Sequence, residues 1–363
     1  MLNSKVSTNK KKPKMIYVNA RFLTQKVTGV QRFAIEIIKR IKNALGNDIQ
    51  LVSPSNIIQE DLAKELDTKI IGKTKGHLWE QITLPYYLHL KGAPLLLNFC
   101  NTAPVTYSNS IVTIHDLAAL AYPSWFSIKY GIAYKLLMPL ISKKSKGIIT
   151  VSSYSKNEIH NILNIKKDKI NIVHCAISIN LKKTESIMPK SNYILFVGSI
   201  DPRKNIERLI KSMAFLPEKI SLIIVGGKNN IFNQQNFNCP ENIRNRIEFT
   251  GYVTDEMLEK LYNNAKVFIY PSLYEGFGIP PLEAQACGCP VVCSNATSLP
   301  EVCGNSVLYC DPYNINDISA KIKMVLDDEK LQRNLIAKGF ENIKRFSWEA
   351  SSKKIIEIIR NIN

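Results

Sequence analysis

Short apolar runs alternate with amphipathic helical patterns along almost the whole chain, and that alternation limits the possible folds more than any other feature. Candidate strands lie at 15–19, 95–98, 111–115, 147–151 and 171–174, and resume at 193–198, 221–225, 247–250, 267–270, 290–293 and 307–310. After the first strand, Val30, Phe33, Ala34, Ile37, Ile38 and Ile41 keep the i, i+3, i+4, i+7 spacing of an amphipathic helix. Helical patterns recur at 205–213 and 254–263, and a last helix is expected from Trp348 to about 362. Strands that alternate with helices form parallel sheets covered on both faces. At roughly 150 residues per domain, a chain of 363 residues makes two such units. The expected class is α/β, with two doubly wound, Rossmann-like domains whose ligands sit at the C-terminal strand ends.

Composition marks the boundaries. Residues 1–14 form a basic, polar N-terminal extension, and residues 15–180 carry the first domain. The polar stretch 181–192, with Pro189, reads as a linker. The second domain is expected at 193–346, and the terminal helix at 347–363. The extension has no apolar core, so it is expected to be neither a signal peptide nor an anchor. The apolar stretch 134–141, followed by Lys143, Lys144 and Lys146, is too short to span a bilayer. It reads as a buried core helix, with a basic amphipathic helix lying on a membrane as the alternative. Cytoplasmic residence is the expectation.

Lys and Arg total 48 against 30 acids, a formal net charge of +18. Such a surface draws polyanions, whether nucleic acid, anionic lipid or phosphorylated substrate. There are eight cysteines, three of them crowded at Cys287, Cys289 and Cys293. Their spacing is not a pair of C-x-x-C units and no His lies nearby, so small buried residues around a strand are expected rather than a metal site.

The densest chemical signal runs from 270 to 290. A strand ends at Tyr270, and a loop carries Glu275, Gly276, Phe277 and Gly278. Pro280 and Pro281 suit the first turn of a helix that continues through Leu282 and Glu283. A helix start bordered by glycines offers backbone N–H groups to a phosphate. Glu275 and Glu283 flank that anion site, where carboxylates can accept hydrogen bonds from sugar hydroxyls. Spacing alone leaves an acidic cap and a solvated glutamate as an equal alternative.

The run from Glu275 to Glu283, with seven residues between the acids, resembles the signature of retaining GT-B glycosyltransferases of family four. The resemblance extends over nearly the whole chain. Thr28-Gly29-Val30-Gln31-Arg32-Phe33 is similar to the family's glycine loop, and Val112-Thr113-Ile114-His115-Asp116 to its His-Asp strand end. Phe196-Val197-Gly198-Ser199 and Asp201-Pro202-Arg203-Lys204-Asn205 resemble its phosphate-binding segment. Gly251-Tyr252-Val253 resembles a loop beside the base, and Phe346-Ser347-Trp348 the start of a terminal helix that crosses back to the first domain.

The resemblance implies a GT-B fold, two domains facing each other across a cleft. Lys204 and Arg203 would clamp the diphosphate as it leaves. Many relatives carry a further Arg where this chain has Ser199, which leaves part of that work to Arg203. Glu283 would bind the ribose and Glu275 the transferred sugar. Phe277, Gly278, Ile279 and Leu282 would line the nucleotide-sugar site. Gly29 would let the first-domain backbone approach the diphosphate, and His115 would face the donor sugar. No residue reads as a covalent nucleophile, and retention would use the departing phosphate oxygen as base. No D-x-D run is present, which argues against a metal-clamped diphosphate, and no cofactor is expected.

The implied donor is GDP-mannose, with a dTDP-rhamnose or UDP-hexose donor as the alternative. The implied acceptor is a glycan or lipid-linked oligosaccharide, with peripheral contact at an anionic membrane on its inner face. A nicotinamide dehydrogenase would need G-x-G-x-x-G, and Gly226-Gly227-Lys228 lacks the third glycine. No G-x-x-x-x-G-K pattern supports a P-loop kinase. No zinc, helix-turn-helix or aromatic RNA-binding pattern supports nucleic acid as a partner. A GT-B epimerase or a basic nucleic-acid-binding protein stands as the reading of another class.

Overall fold

The computed structural model describes residues 15–178, 181, 191–227 and 241–362. The basic extension at 1–14 and most of the linker at 181–192 lie outside them. Two parallel sheets are present. The first contains β1 (Ile16–Asn19), β2 (Ile49–Ser53), β3 (Lys69–Ile70), β4 (Leu96–Asn98), β5 (Ser110–Thr113), β6 (Gly147–Thr150) and β7 (Ile170–Ile172). Their order is β3-β2-β1-β4-β5-β6-β7. The second contains β8 (Tyr193–Val197), β9 (Ser221–Val225), β10 (Ile247–Gly251), β11 (Val267–Tyr270), β12 (Val291–Ser294) and β13 (Leu308–Cys310), in the order β10-β9-β8-β11-β12-β13. Every strand pair is parallel. This is α/β architecture in two Rossmann-like units.

The strand order reverses between β1 and β4 in the first sheet and between β8 and β11 in the second. Helices leave on opposite faces at such a reversal and open a crevice at the carboxyl ends of the strands. Central strands such as β11 are buried along their whole length, as expected for sheets covered on both sides. Two strands have no counterpart in the sequence reading. β2 was hidden by the polar Gln50 within it, and β3 is a two-residue edge with exposed side chains. The strand expected at 111–115 ends at Thr113, so His115 lies two residues beyond it.

The helix Gly29–Leu45 buries Phe33, Ala34, Ile37, Ile38 and Ile41, the stripe that the periodicity marked. The terminal helix Trp348–Ile362 returns to pack against it. Trp348 meets Phe33 edge-on at 5.7 Å, and Arg40 binds Glu349 at 2.8 Å. Ile362 reaches Gly147 on β6, where a methyl group would come within 2.7 Å of it. Cys287, Cys289 and Cys293 are buried in the core around β12.

One expectation needs correction. The stretch 134–141 belongs to the helix Ile128–Lys144, which buries Met138 and Ile141 but leaves Ile132, Leu136 and Leu140 exposed. A helix covering one face of a sheet has only its inner side in the core, so an apolar outer side does not become buried by being apolar.

Candidate active site

The second reversal point gathers the charged residues. Between β8 and the helix Ile206–Ser212, Pro202–Lys204 makes a single tight turn. Asp201 is fully buried and caps it, accepting from the Arg203 N–H at 3.0 Å. The same carboxylate accepts from Arg203 Nε at 3.1 Å and from the Ser199 hydroxyl at 2.6 Å. Arg203 is thereby aimed rather than free to wander. Asn205 ends the turn in the left-handed region, φ 58°, and donates to the carbonyls of Pro271 and Pro312 at 3.0 and 2.7 Å. Burial opposes the Arg203 charge, and Asp201, Asp116 and Glu275 together overcome it and raise its pKa.

Lys204 points to β11. Its Nζ lies 2.5 Å from Glu275 Oε1 and donates to the Tyr270 hydroxyl at 2.6 Å. Both charged groups are buried. A buried ion pair is costly to desolvate and is a weak source of stability, so its retention points to a use. Glu275 is itself held from behind. Its N–H donates to Thr297 Oγ1 at 3.0 Å, and the Ser298 hydroxyl donates to the carbonyls of Glu275 and Phe277 at 2.9 Å each. Thr297 has φ 56°, an uncommon conformation for a β-branched residue and a local strain of the kind that collects at working sites.

The glycines of this loop divide their tasks. Gly276 abuts the first domain, where an added Cβ would come 2.4 Å from the His115 carbonyl oxygen. The Gly276 carbonyl accepts from the Ser152 hydroxyl at 2.6 Å. Gly278 adopts φ 100° and opens the helix Ile279–Ala286. Pro280 and Pro281 occupy its next positions, where no N–H has to be satisfied. The donors at this helix start are therefore those of Gly278 and Ile279. Leu282 is wholly buried, so its side chain anchors the helix rather than reaching the cleft. The Phe277 ring is likewise turned inward, 5.9 Å from His174 and 5.4 Å from Phe346.

Glu283 is buried a little further along. Burial raises its pKa, and the Tyr262 hydroxyl, donating at 2.9 Å, opposes that rise together with the Arg32 charge. Arg32 comes from the helix that Gly29 opens, and lies 3.7 Å from Asp255 of the second unit. A Cβ at Gly29 would meet nothing within 4 Å, so no packing contact demands a glycine there. Tyr252 is exposed and lies against Gly227, where a Cβ would come 2.4 Å from its ring. Lys228 lies outside the described residues.

Across the cleft, His115 is buried with its N–H donating to Asn101 Oδ1 at 2.8 Å. Its Nε2 lies 2.9 Å from the Phe99 carbonyl. A carbonyl only accepts, so Nε2 carries the hydrogen. Burial lowers the His115 pKa, against the Phe99 carbonyl and Asp116, and keeps the ring neutral. Asp116 reaches over to Arg203 at 3.9 Å. Arg203, Lys204, Glu275, Ser199 and Asp116 thus form one group, while His115 borders it through its carbonyl against Gly276 and turns its ring to Phe99 and Phe33. Glu283 with Tyr262 and Arg32 forms a second, Gly29 starts the helix that carries Arg32, and Tyr252 stands apart at the β9–β10 end. Asp201, Tyr262 and Thr297 were missed by sequence reasoning. Asp201 stood in plain view before Pro202, but nothing in the spacing signalled that Tyr262 or Thr297 would support the two acids.

The family model for glycosyl transferases group 1 matches residues 178–342, a span that includes both acids and the cationic pair. The chain is 30% identical to O-antigen chain mannosyltransferase B of Escherichia coli, over 91% of this chain and 95% of that protein. The chain belongs to the group 1 glycosyltransferases. This glycosyltransferase is also 31% identical to O-antigen chain mannosyltransferase RfbU of Salmonella typhimurium, over 68% of its own length and 70% of the relative. Its fold matches the crystal structure of Anabaena Alr3699/HepE in complex with UDP-glucose, with a TM-score of 0.75 at 16% identity over 96% and 99% of the two chains. The glycosyltransferase therefore has the GT-B fold.

Proposed function

We propose that this glycosyltransferase moves a mannosyl group from GDP-mannose to a hydroxyl of a growing, lipid-linked surface polysaccharide, with retention at the anomeric carbon. The observation that carries the reading is the buried Lys204–Glu275 pair at 2.5 Å, beside an Arg203 aimed by Asp201 and facing Asp116 across the cleft. Two cations and a helix start surround the space where negative charge grows as the sugar–phosphate bond breaks. Preorganised charge of this kind stabilises a departing diphosphate without reorganisation cost at the moment of reaction.

In this reading Lys204, Arg203 and the N–H groups of Gly278 and Ile279 hold the diphosphate. Glu275 accepts from hydroxyls of the transferred sugar while its pairing with Lys204 keeps both groups aimed. Glu283 accepts from the ribose, Tyr252 and Ser199 line the nucleotide side, and Gly29 admits the diphosphate from the first domain. His115, neutral and fixed by Phe99, meets the donor sugar. The departing phosphate oxygen takes the acceptor proton. Residues 15–180 would serve the acceptor and 193–346 the donor. No described helix is long and apolar enough to cross a membrane. A +18 chain would meet its lipid-linked acceptor at the anionic inner face of the cytoplasmic membrane. The mannosyl donor rests on the two O-antigen mannosyltransferase relatives.

The test is turnover of a panel of GDP-, UDP- and dTDP-sugars, following release of the nucleoside diphosphate. Release of GDP from GDP-mannose, rising with a lipid-linked glycan acceptor, is the expected result. Preference for a UDP- or dTDP-sugar would overturn the donor assignment, and free sugar isomers formed without acceptor would mean an epimerase.

A further inference from the structure

The helices on one face of the first sheet carry two apolar stripes that are exposed among the described residues. In register, Leu96 opposite Ser110 and Asn98 opposite Val112 put Leu96 and Val112 on one face, and Val112 is followed by Ile148 and Ile170. Leu84 and Leu88 pack on this face beside Leu96, Tyr17 and Val52. Met138 and Ile141 pack on the same face beside Val112 and Ile148. The two helical segments, 76–90 and 128–144, therefore lie in one layer.

Their outer sides repeat every four residues. Leu78, Ile82, Tyr86 and Leu90 are 55–68% exposed, and Ile128, Ile132, Leu136 and Leu140 are 46–81% exposed. Eight large apolar side chains in two rows on one layer exceed the scattered exposure of an ordinary surface. Charge along this stretch of chain is mostly of one sign. Between Asp67 and Glu158 the chain carries ten lysines and only two acids, Glu80 and Asp116. Glu80 is buried, and Asp116 faces the cleft beside Arg203. Lys129, Lys135, Lys143, Lys144 and Lys146 are all exposed around the second stripe. A layer that is apolar along its ridge and lysine-rich at its flanks complements the boundary between acyl chains and anionic headgroups.

We propose that this face lies flat on an anionic bilayer. The inference rests on the reading of a lipid-linked acceptor and assigns the surface that meets the lipid. The inner side of the helix Ile128–Lys144 supplies the geometry for delivery. Tyr130 stacks on Tyr134 at 4.4 Å and stands close enough to Asp116 and Arg203 for their charges to act on its hydroxyl. One helix thus packs beside Tyr274, next to Glu275, with one side and meets the membrane with the other, so an acceptor carried by a lipid enters the cleft without leaving the bilayer.

The test is co-sedimentation of the full chain with phosphatidylcholine vesicles, with and without phosphatidylglycerol, at low salt. The chain is expected in the pellet only with phosphatidylglycerol present. Ile132→Glu with Leu136→Glu should weaken vesicle affinity about tenfold or more, and Lys143→Glu with Lys144→Glu by a similar factor. GDP-mannose hydrolysis should be unchanged in both, which also reports intact folding. Vesicle affinity equal to that of the unaltered chain in the Ile132→Glu, Leu136→Glu variant would overturn the proposal. So would a stable dimer by light scattering that this variant splits, because a second copy would then be the occupant. Vesicle binding by a chain that hydrolyses no nucleotide sugar would overturn the donor reading and leave this surface assigned.

Discussion

The two reversal points of the strand order have the same topology and opposite chemistry. At the second, between β8 and β11, a lysine and a glutamate meet at 2.5 Å and the neighbouring cation faces the cleft. At the first, between β1 and β4, Asn19 donates to Asn98 at 3.0 Å and to Glu80 at 2.8 Å. Arg21 approaches the same Glu80 oxygen at 3.3 Å, and the Thr102 hydroxyl donates to it at 3.0 Å. Glu80 rides on a turn of π-helix, Trp79–Thr83, a local distortion often found at functional positions. One crevice sets two cations, Arg203 and Lys204, among three carboxylates at its mouth. The other buries a hydrogen-bonded polar floor with an anion at its centre, suited to hydroxyl groups. The shared fold supplies two equivalent crevices, and side chains decide what each one holds.

The sharpest way to break this contrast is to remove the cation from the second crevice. Lys204→Ala, and separately Glu275→Ala, should each lower turnover of GDP-mannose about a hundredfold, the scale of lost electrostatic stabilisation. Because the two groups act as a unit, the double variant should lose far less than the product of the single losses. Turnover near that of the unaltered enzyme would remove the distinction between the crevices. The matching change in the first crevice is Glu80→Gln. It leaves Arg21 buried without its anion and should cost about 1–3 kcal/mol of stability, read by denaturant unfolding. GDP-mannose hydrolysis without acceptor should persist, whereas transfer to acceptor should fall.

A smaller effect tests the seam between the crevices. Glu301 accepts from the N–H groups of Ser153 and Tyr154 at 2.8 and 3.1 Å, capping a first-domain helix from the second domain. Burial would raise its pKa, but His174 and those two N–H groups bring it down to about 2. A folded pKa below the unfolded value means that the cap contributes fully above about pH 4.5 and fades as pH falls towards 2. Glu301→Gln should cost about 1 kcal/mol at neutral pH and flatten the loss of stability on acidification over that range. Smallest of all, Tyr262→Phe removes the hydroxyl that supports Glu283. KM for the donor should rise several-fold with kcat nearly unchanged, because the proposed ribose contact of Glu283 is the same before and during the reaction. An equal fall in kcat would instead tie Glu283 to the chemical step.

Eleven strands were legible because buried parallel strands read as continuous apolar runs, and the helix Gly29–Leu45 because its stripe keeps strict spacing. β3 was not, since two exposed residues carry no pattern. Glu275 and Glu283 were legible as a pair because one loop and one helix hold both. The contact between Glu275 and Lys204 spans 71 residues of chain and exists only once β8 and β11 lie side by side. Asp201, Thr297 and Tyr262 support the site from positions that topology alone brings near. The Ile128–Lys144 helix misled for a different reason. Its hydrophobic residues surround the axis, a pattern that ordinarily means burial, and sequence carries no sign that Ile132, Leu136 and Leu140 are exposed.

The return of the Trp348–Ile362 helix to the first domain means that the polypeptide passes between the two halves twice. Ser351 fastens the second passage to the His174 carbonyl at 2.7 Å, close to where the first passage departs. Two neighbouring crossings act like two pins of one door. Attached at neighbouring points, the halves resist twisting and sliding on one another more than a single attachment would allow, so the two crevices keep their alignment.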